Sequence, residues 1–220
     1  MAELFGQQFR LERRRVNGIA LNVRCALTPG APPLLLLHGF PQTHAMWHAL
    51  APRLSRRFSL VLPDLRGYGD SDKPDGARDH AGYSKRVMAH DTAELMRGFG
   101  FDSFFVCGHD RGGRVAHRLA LHHPAAGRRL MVLDIPPART KYERTTMEFA
   151  RLYYHWFFLI QPEPLPESLI GAAPLFFLRQ KLGGWGSAGG EFFDPRALRE
   201  YERCFDAAAR RHLSKTSFKT

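Results

Sequence analysis

Short apolar runs alternate with stretches of helical periodicity over the first 134 residues of the chain. Four runs have the length of buried strands and end in turn residues: PLLLL at 33–37, SLVLPDL at 59–65, FFVCG at 104–108 and LMVLD at 130–134. Helices are expected between them, at about 84–98 and 112–122. Before these runs, Asn17-Gly18 favours a type I′ turn and predicts a hairpin over 9–27. The alternation indicates an α/β protein with a mostly parallel sheet.

The pattern changes after about residue 137, where strand-like runs give way to aromatic, helix-like segments. These segments are broken by QPEPLPES and by the glycine-rich KLGGWGSAGGEFFDP. Ligands of parallel sheets bind at the carboxyl ends of the strands, so a helical layer laid over those ends would exclude water from a site there. We therefore predict an α/β core of six strands at 1–136, a helical cap at 137–212 and a divergent tail at 213–220.

The turn after the FFVCG run has the spacing of a nucleophile elbow. In Gly108-His109-Asp110-Arg111-Gly112, glycines at both ends permit a strained strand-to-helix turn that exposes the central side chain. A free aspartic acid side chain ionises with a pKa of about 3.9, so it needs no base to act as a nucleophile at neutral pH. An aspartate that caps the following helix is the structural alternative. The flanking glycines and the preceding apolar strand favour Asp110 as a nucleophile that attacks a saturated carbon.

Two arginines lie three residues apart at the start of the predicted helix that follows this turn. Arg111 and Arg114 share one face of that helix, where cations oppose the positive end of the helix dipole unless an anion is near. Paired guanidinium groups match a carboxylate in bidentate fashion. We interpret the pair as a binding site for a substrate carboxylate rather than as two surface arginines.

Composition and charge limit the other classes of function. The chain has 220 residues with 44% hydrophobic content, enough for one sizeable core. Its net charge of +11 comes from scattered lysines and arginines rather than from one basic face, so we expect a solvated surface and no nucleic-acid partner. Cysteines are too few and too distant for a disulfide framework, and no signal peptide or membrane span is apparent. We expect a soluble, cytoplasmic protein.

Metal and cofactor motifs are absent from the sequence. His44 and His48 are four residues apart, but no third ligand with suitable spacing accompanies them, and we expect both to be structural. Neither a phosphate-binding glycine motif nor a zinc spacing is present, so no cofactor is implied.

The order of motifs resembles that of a known family. LLLLHGFPQTHAMWHAL, LPDLRGYGDSDKP, CGHDRGGRVAHRLAL, LMVLDIPP, YYHWFFLIQPEPLPESLIG, KLGGWGSAGG and FFDPRALREYERCF occur in this order in α/β-hydrolases. Within that superfamily, the chain resembles the haloacetate (fluoroacetate) dehalogenases, because GHDRGGR together with YHW is more specific than the other motifs. The resemblance implies that a small haloacid is hydrolysed to glycolate and halide through an ester on Asp110.

The resemblance also implies further site residues. His155, Trp156 and Trp185 would donate hydrogen bonds to the leaving halide, and Arg111 with Arg114 would hold the carboxylate. The backbone N–H groups of Phe40 and Arg111 would form the oxyanion hole. Asp134, at the end of LMVLD, would orient a catalytic histidine. From the residues alone, a turn-forming role for Asp134 is equally compatible with the sequence.

The resemblance stops near His212, and no histidine follows a terminal strand as the family pattern requires. A truncated or frame-shifted product and a partial record of a longer chain are both compatible with this pattern. A chain that lacks the base would stall at the ester, or would serve only to bind small carboxylates. It would also leave LMVLD at the sheet edge and favour a homodimer. The catalytic alternative is an epoxide hydrolase, with Tyr153 and Tyr154 as candidate donors.

Overall fold

The computed structural model describes residues 2–75, 80–135, 143, 145–184 and 189–212. Its strands are β1 (Arg10–Val16), β2 (Ile19–Ala26), β3 (Pro33–Leu37), β4 (Ser59–Pro63), β5 (Phe104–His109) and β6 (Gly127–Leu133). All four apolar runs predicted as strands form strands, and the last begins three residues earlier than LMVLD. Within the described residues they form one six-stranded sheet, in the order β1-β2-β4-β3-β5-β6.

The sheet is mixed. β1 pairs with β2, and β2 with β4, in antiparallel fashion, whereas β4, β3, β5 and β6 run parallel. The predicted hairpin is confirmed: β1 and β2 are joined by Asn17 and Gly18, whose φ angles of 45° and 77° are those of a type I′ turn. The carboxyl ends of the parallel strands therefore lie at one edge of the sheet, where His38, Asp64, Asp110 and Asp134 follow them.

Helices flank the sheet, and loops connect them to the strands. The α-helices are α1 (Ala2–Phe5), α2 (Ala51–Leu54), α3 (Lys85–Gly98), α4 (Arg111–His122), α5 (Met147–Leu152), α6 (Tyr154–Phe158), α7 (Leu165–Ala172), α8 (Pro174–Gly183) and α9 (Pro195–His212). Both predicted core helices are confirmed as α3 and α4, so the α/β class is confirmed. Among the described residues, no helix is long and apolar enough to cross a membrane.

Two apolar clusters bury the two faces of the sheet, because successive side chains of a strand point to opposite faces. On one face, Leu35 of β3 joins Val115 and other residues of α3 and α4. On the other face, the neighbouring Leu36 joins Leu178 and Phe205 from the later helices. The helices after residue 145 thus share a core with the sheet. The expected boundary at residue 136 and the expected tail at 213–220 lie outside the described residues.

Strand β6 carries apolar side chains that remain exposed. It pairs with β5, and Leu130, Met131 and Val132 are 40%, 59% and 38% exposed. In the described part of the chain, β6 is therefore an edge strand with an apolar surface, an arrangement that favours association with other chains.

Candidate active site

The turn between β5 and α4 adopts the strained conformation of a nucleophile elbow. Asp110 has φ 47° and ψ −113°, in a region that non-glycine residues rarely adopt. Gly112 is required by close packing, since a Cβ there would collide with the backbone carbonyls of Leu37 and His38. The turn is therefore pressed against the end of β3, and the Asp110 side chain lies at the carboxyl edge of the sheet.

The Asp110 carboxylate does not cap α4. It makes no capping hydrogen bond to that helix, and its Oδ2 atom instead accepts the backbone N–H of Phe40 at 2.9 Å. The two segments touch closely, because a Cβ at Gly39 would lie 2.7 Å from Cβ of Asp110. The backbone N–H of Asp110 donates to the carbonyl of Leu133 at 3.1 Å. These contacts remove the capping explanation and fix the carboxylate beside a backbone donor.

A buried histidine supports the loop that provides this donor. His38 accepts the N–H of Leu65 at Nε2 (3.0 Å), so its proton lies on Nδ1, which donates to the carbonyl of Gly39 at 3.1 Å. The N–H of Gln42 donates to the same carbonyl at 3.0 Å. Burial lowers the pKa of His38 to about 4, so its ring is neutral at pH 7. Both ring nitrogens are therefore used: Nε2 binds Leu65, and Nδ1 holds the carbonyl of Gly39, the residue that precedes the N–H donor Phe40.

Asp64 follows β4 at the same sheet edge but is a buried support and does not line the cavity. Its Oδ2 accepts Asn22 Nδ2, and its Oδ1 accepts both the N–H and Nδ1 of His44, each at 2.8 Å. Arg24 Nε donates to the Nε2 atom of His44 at 3.2 Å, which places the His44 proton on Nδ1. These contacts with His44 outweigh burial and lower the pKa of Asp64. His44 thus has a structural environment, as expected, whereas His48 borders the cavity beside Asp110.

The predicted carboxylate-binding arginines each lie on an aromatic ring. Cζ of Arg111 is 5.0 Å from the centroid of the Phe40 ring. Cζ of Arg114 is 4.2 Å from the centroid of the Trp156 ring. The second contact brings together two residues that lie 42 positions apart in sequence, one on α4 and one on α6.

A single cavity of about 1370 Å³ contains most of the predicted site. Its lining includes the following residues singled out from the sequence: Phe40, Asp110, Arg111, Arg114, Asp134, Tyr153, His155 and Trp156. His155 is buried, and Asp134 is exposed at the end of β6 with φ 52°. Tyr154 is not in the lining, and Trp185 lies outside the described residues.

Two lysines near the site were not identified from the sequence. Lys181 lines the cavity from α8, is only 5% exposed, and places Nζ 4.0 Å from the Tyr154 ring centroid. Burial lowers its pKa. Lys85, at the start of α3, has its pKa lowered by burial and by the positive charges of Arg111 and Arg114. A single lysine gives no periodic signal in the sequence, so these positions could be found only from the fold.

No described histidine is hydrogen-bonded to Asp134. Among the described histidines, His48, His109 and His155 border the cavity. The partly buried side chain of His109, beside the proposed nucleophile in sequence, has its Nδ1 atom close to Gly39. That nitrogen is buried and has no hydrogen-bond partner in the described part of the chain.

Comparisons with known proteins place this geometry in context. Residues 32–183 match the family model described as the alpha/beta hydrolase fold. The chain is 50% identical over 192 residues to a fluoroacetate dehalogenase from Burkholderia sp., which covers 87% of this chain and 63% of that protein. It is 43% identical over 109 residues to a soluble epoxide hydrolase from Corynebacterium sp. strain C12, covering 50% of this chain and 36% of that protein. The chain therefore spans less than two thirds of the length of these two relatives.

Solved structures resemble the chain over nearly all of its length. One, described as an alpha/beta hydrolase from Nostoc sp. PCC 7120, has a TM-score of 0.90 and 49% identity, and covers 96% of this chain and 72% of that one. Another, described as an epoxide hydrolase from Pseudomonas aeruginosa, has a TM-score of 0.87 and 42% identity, and covers 96% and 69%.

Proposed function

The chain belongs to the alpha/beta hydrolase family, and within that family we propose that its site hydrolyses the carbon–halogen bond of haloacetates. Fluoroacetate or chloroacetate would be converted to glycolate and a halide ion. Relationship to a fluoroacetate dehalogenase at 50% identity supports this substrate class. The helices between 145 and 212 would act as a cap over the carboxyl ends of the strands.

The first step is displacement at the α-carbon of the substrate. Arg111 and Arg114 would hold the carboxylate through charge-assisted hydrogen bonds, with the α-carbon facing Asp110. A carboxylate oxygen of Asp110 forms a bond to that carbon, and the halide leaves with the electrons of the broken bond. A departing fluoride needs several donors in a water-poor pocket; His155, Trp156 and Trp185 are the proposed donors.

The second step is hydrolysis of the ester on Asp110. Water attacks the ester carbonyl, and the developing negative charge is stabilised by the backbone N–H groups of Phe40 and Arg111. The hydrogen bond from the N–H of Phe40 to Oδ2 of Asp110 is consistent with this assignment. Asp134 would orient the histidine that removes a proton from the water. No described histidine makes that contact, so ester hydrolysis is the step that the described residues support least.

One observation carries the proposal. Two arginines and an aspartate that does not cap the following helix lie close together in sequence, and they line one cavity with a histidine and a tryptophan from the later helices. An aspartate without the arginine pair would suit a neutral substrate equally well. A carboxylate bound to Arg111 and Arg114 would place the adjacent carbon beside Asp110, because these residues are neighbours in the same turn.

The test is a comparison of chloroacetate with chloroacetamide, a neutral molecule of similar size. Chloride release from each is measured with the wild-type chain, Asp110→Asn and Arg114→Leu. Losing a charge-assisted hydrogen bond should cost about 1.5 to 3 kcal/mol, so wild type should strongly prefer chloroacetate. Asp110→Asn should release no chloride initially, and Arg114→Leu should lose the preference for the anion. Equal reaction with both compounds would contradict the proposed substrate class.

An epoxide hydrolase is the second candidate, because Tyr153 lines the cavity beside Asp110 and the relatives include epoxide hydrolases. Tyrosine hydroxyl groups could donate to an epoxide oxygen while Asp110 attacks carbon. The arginine pair argues against this candidate, because an epoxide has no anion for it to bind. Hydrolysis of styrene oxide without reaction of chloroacetate would favour it. Binding of chloroacetate without chloride release or an ester would instead indicate a carboxylate-binding protein.

A further inference from the structure

Each of the two arginines of the proposed carboxylate site lies over an aromatic ring. Arg111 lies over Phe40 and Arg114 over Trp156, with Cζ-to-centroid distances of 5.0 and 4.2 Å. We propose that the rings of Phe40 and Trp156 are positioning residues that hold these guanidinium groups in the orientation needed to bind the substrate carboxylate. This inference rests on the proposed function and assigns the two rings a role in recognition of the anion.

Stacking suits this purpose better than an ion pair would. A guanidinium group donates hydrogen bonds in its own plane, and an aromatic ring contacts the face of that plane. The ring therefore restricts the orientation of the arginine without using the N–H groups that must bind the substrate. A carboxylate partner would occupy those same N–H groups and compete with the substrate.

Phe40 links the anion site to the nucleophile. Its backbone N–H donates to Oδ2 of Asp110 at 2.9 Å, while its ring contacts Arg111. The ring is 6% exposed and packs against Phe205 of α9 at a centroid distance of 6.2 Å. Phe205 is stacked on Phe177 of α8 at the same distance. A row of rings from the later helices thus fixes the residue that contacts both Asp110 and Arg111.

Trp156 links the anion site to the proposed halide site. Its ring is held edge-on by Phe149 at 6.1 Å and by Tyr153 at 6.4 Å, and its face supports Arg114. If the indole N–H also donates to the halide, one side chain sets the separation between the two ends of the substrate. The ring face and the N–H group can be separated by substitution, because phenylalanine keeps an aromatic face and lacks the donor.

The experiment measures the affinity for fluoroacetate by fluorine NMR and the rate of Asp110 alkylation by chloroacetate by intact-protein mass spectrometry. The variants are Phe40→Leu with Phe40→Tyr as its aromatic control, and Trp156→Leu with Trp156→Phe as its control. We expect each leucine variant to bind fluoroacetate about tenfold more weakly, which corresponds to about 1.4 kcal/mol, within the range of cation–π contacts. Each aromatic variant should bind fluoroacetate more tightly than the leucine variant at the same position, because it keeps the ring face under the guanidinium group. Trp156→Phe should nevertheless slow alkylation, because the halide donor is lost.

The outcomes separate this inference from the proposed function. If wild type binds fluoroacetate and the leucine variants bind it equally well, the positioning role is overturned and the proposed substrate class stands. Wild type that neither binds fluoroacetate nor becomes alkylated would overturn the substrate class, and the inference with it. Thermal melting establishes that each variant folds. Phe40 is buried, so Phe40→Leu could fail to fold. In that case the comparison of Trp156→Leu with Trp156→Phe, at a partly exposed residue, tests the positioning role.

Discussion

The neutral, buried His38 should make the stability of this chain depend on pH in a calculable way. Burial lowers the pKa of His38 from 6.5 to about 4, and the neutral ring holds Gly39 and Leu65 by hydrogen bonds. Between these two pH values the unfolded chain binds a proton at this position and the folded chain does not. The contribution of His38 to the free energy of unfolding is therefore fully present above pH 6.5 and is lost as the pH falls towards 4.

The size of the effect follows from the shift in pKa. A gap of about 2.5 pH units, at about 1.4 kcal/mol per unit, gives a loss of about 3 kcal/mol in the free energy of unfolding between pH 7 and pH 4. Asp64, whose pKa is lowered, remains ionised in both states over most of this window and contributes little to the slope. His123 acts in the same direction as His38, because burial and His90 lower its pKa. The histidine at position 38 must therefore be isolated by substitution.

Urea denaturation of wild type and His38→Gln at pH 7.5 and pH 4.5 measures this contribution. Glutamine can donate to Gly39 and accept from Leu65 but does not titrate. We expect wild type to lose about 2 to 3 kcal/mol more than the variant between the two pH values. The same loss in both proteins would show that His38 is not the neutral support described above.

Two further predictions concern the elbow and the sheet edge. Gly112→Ala should lower the free energy of unfolding by about 1 to 3 kcal/mol, because the added Cβ would collide with the backbone at the end of β3. The control, Gly98→Ala at the end of α3, should not be destabilising, because a Cβ there meets nothing within 4 Å. Equal melting curves for the two variants would contradict the close packing at Gly112. Met131→Lys on the exposed edge strand should reduce self-association measured by analytical ultracentrifugation, because a charge blocks edge pairing. Met147→Lys on α5, at a residue that is 84% exposed, should change association little, and a wild-type monomer at high concentration would contradict this prediction.

Much of the sheet could be predicted from local sequence. A continuous apolar run marks a strand buried on both faces, as in β3, and Asn17-Gly18 has the two positive φ angles of its turn. The elbow was also predictable, because the glycines on both sides of Asp110 stand where the tight turn leaves no room for a Cβ. β6 began earlier than LMVLD because its first residues, Gly127 to Arg129, are polar or small and carry no apolar signal.

The contacts that organise the site could not be predicted from local sequence. Stacking of Arg114 on Trp156 joins two elements whose separation in sequence carries no periodicity, and it follows only from the packing of α6 over α4. Asp64 lies at the end of a strand-like run in the sequence, but its burial against His44 depends on a side-chain network from three segments. Lys181 reaches the cavity because of the orientation of α8, which the sequence pattern does not specify.

The central claim is that Asp110 attacks the substrate carbon and becomes esterified. Intact-protein mass spectrometry with peptide mapping, after incubation of the 220-residue chain with chloroacetate, tests it directly. Because no described histidine contacts Asp134, ester hydrolysis should be slow and the adduct should accumulate. We predict one carboxymethyl group per chain, located on Asp110, with one equivalent of chloride released and neither event in Asp110→Asn. A folded sample that binds fluoroacetate but forms the adduct at another residue, or whose Asp110→Asn variant releases chloride as fast as wild type, would contradict the claim.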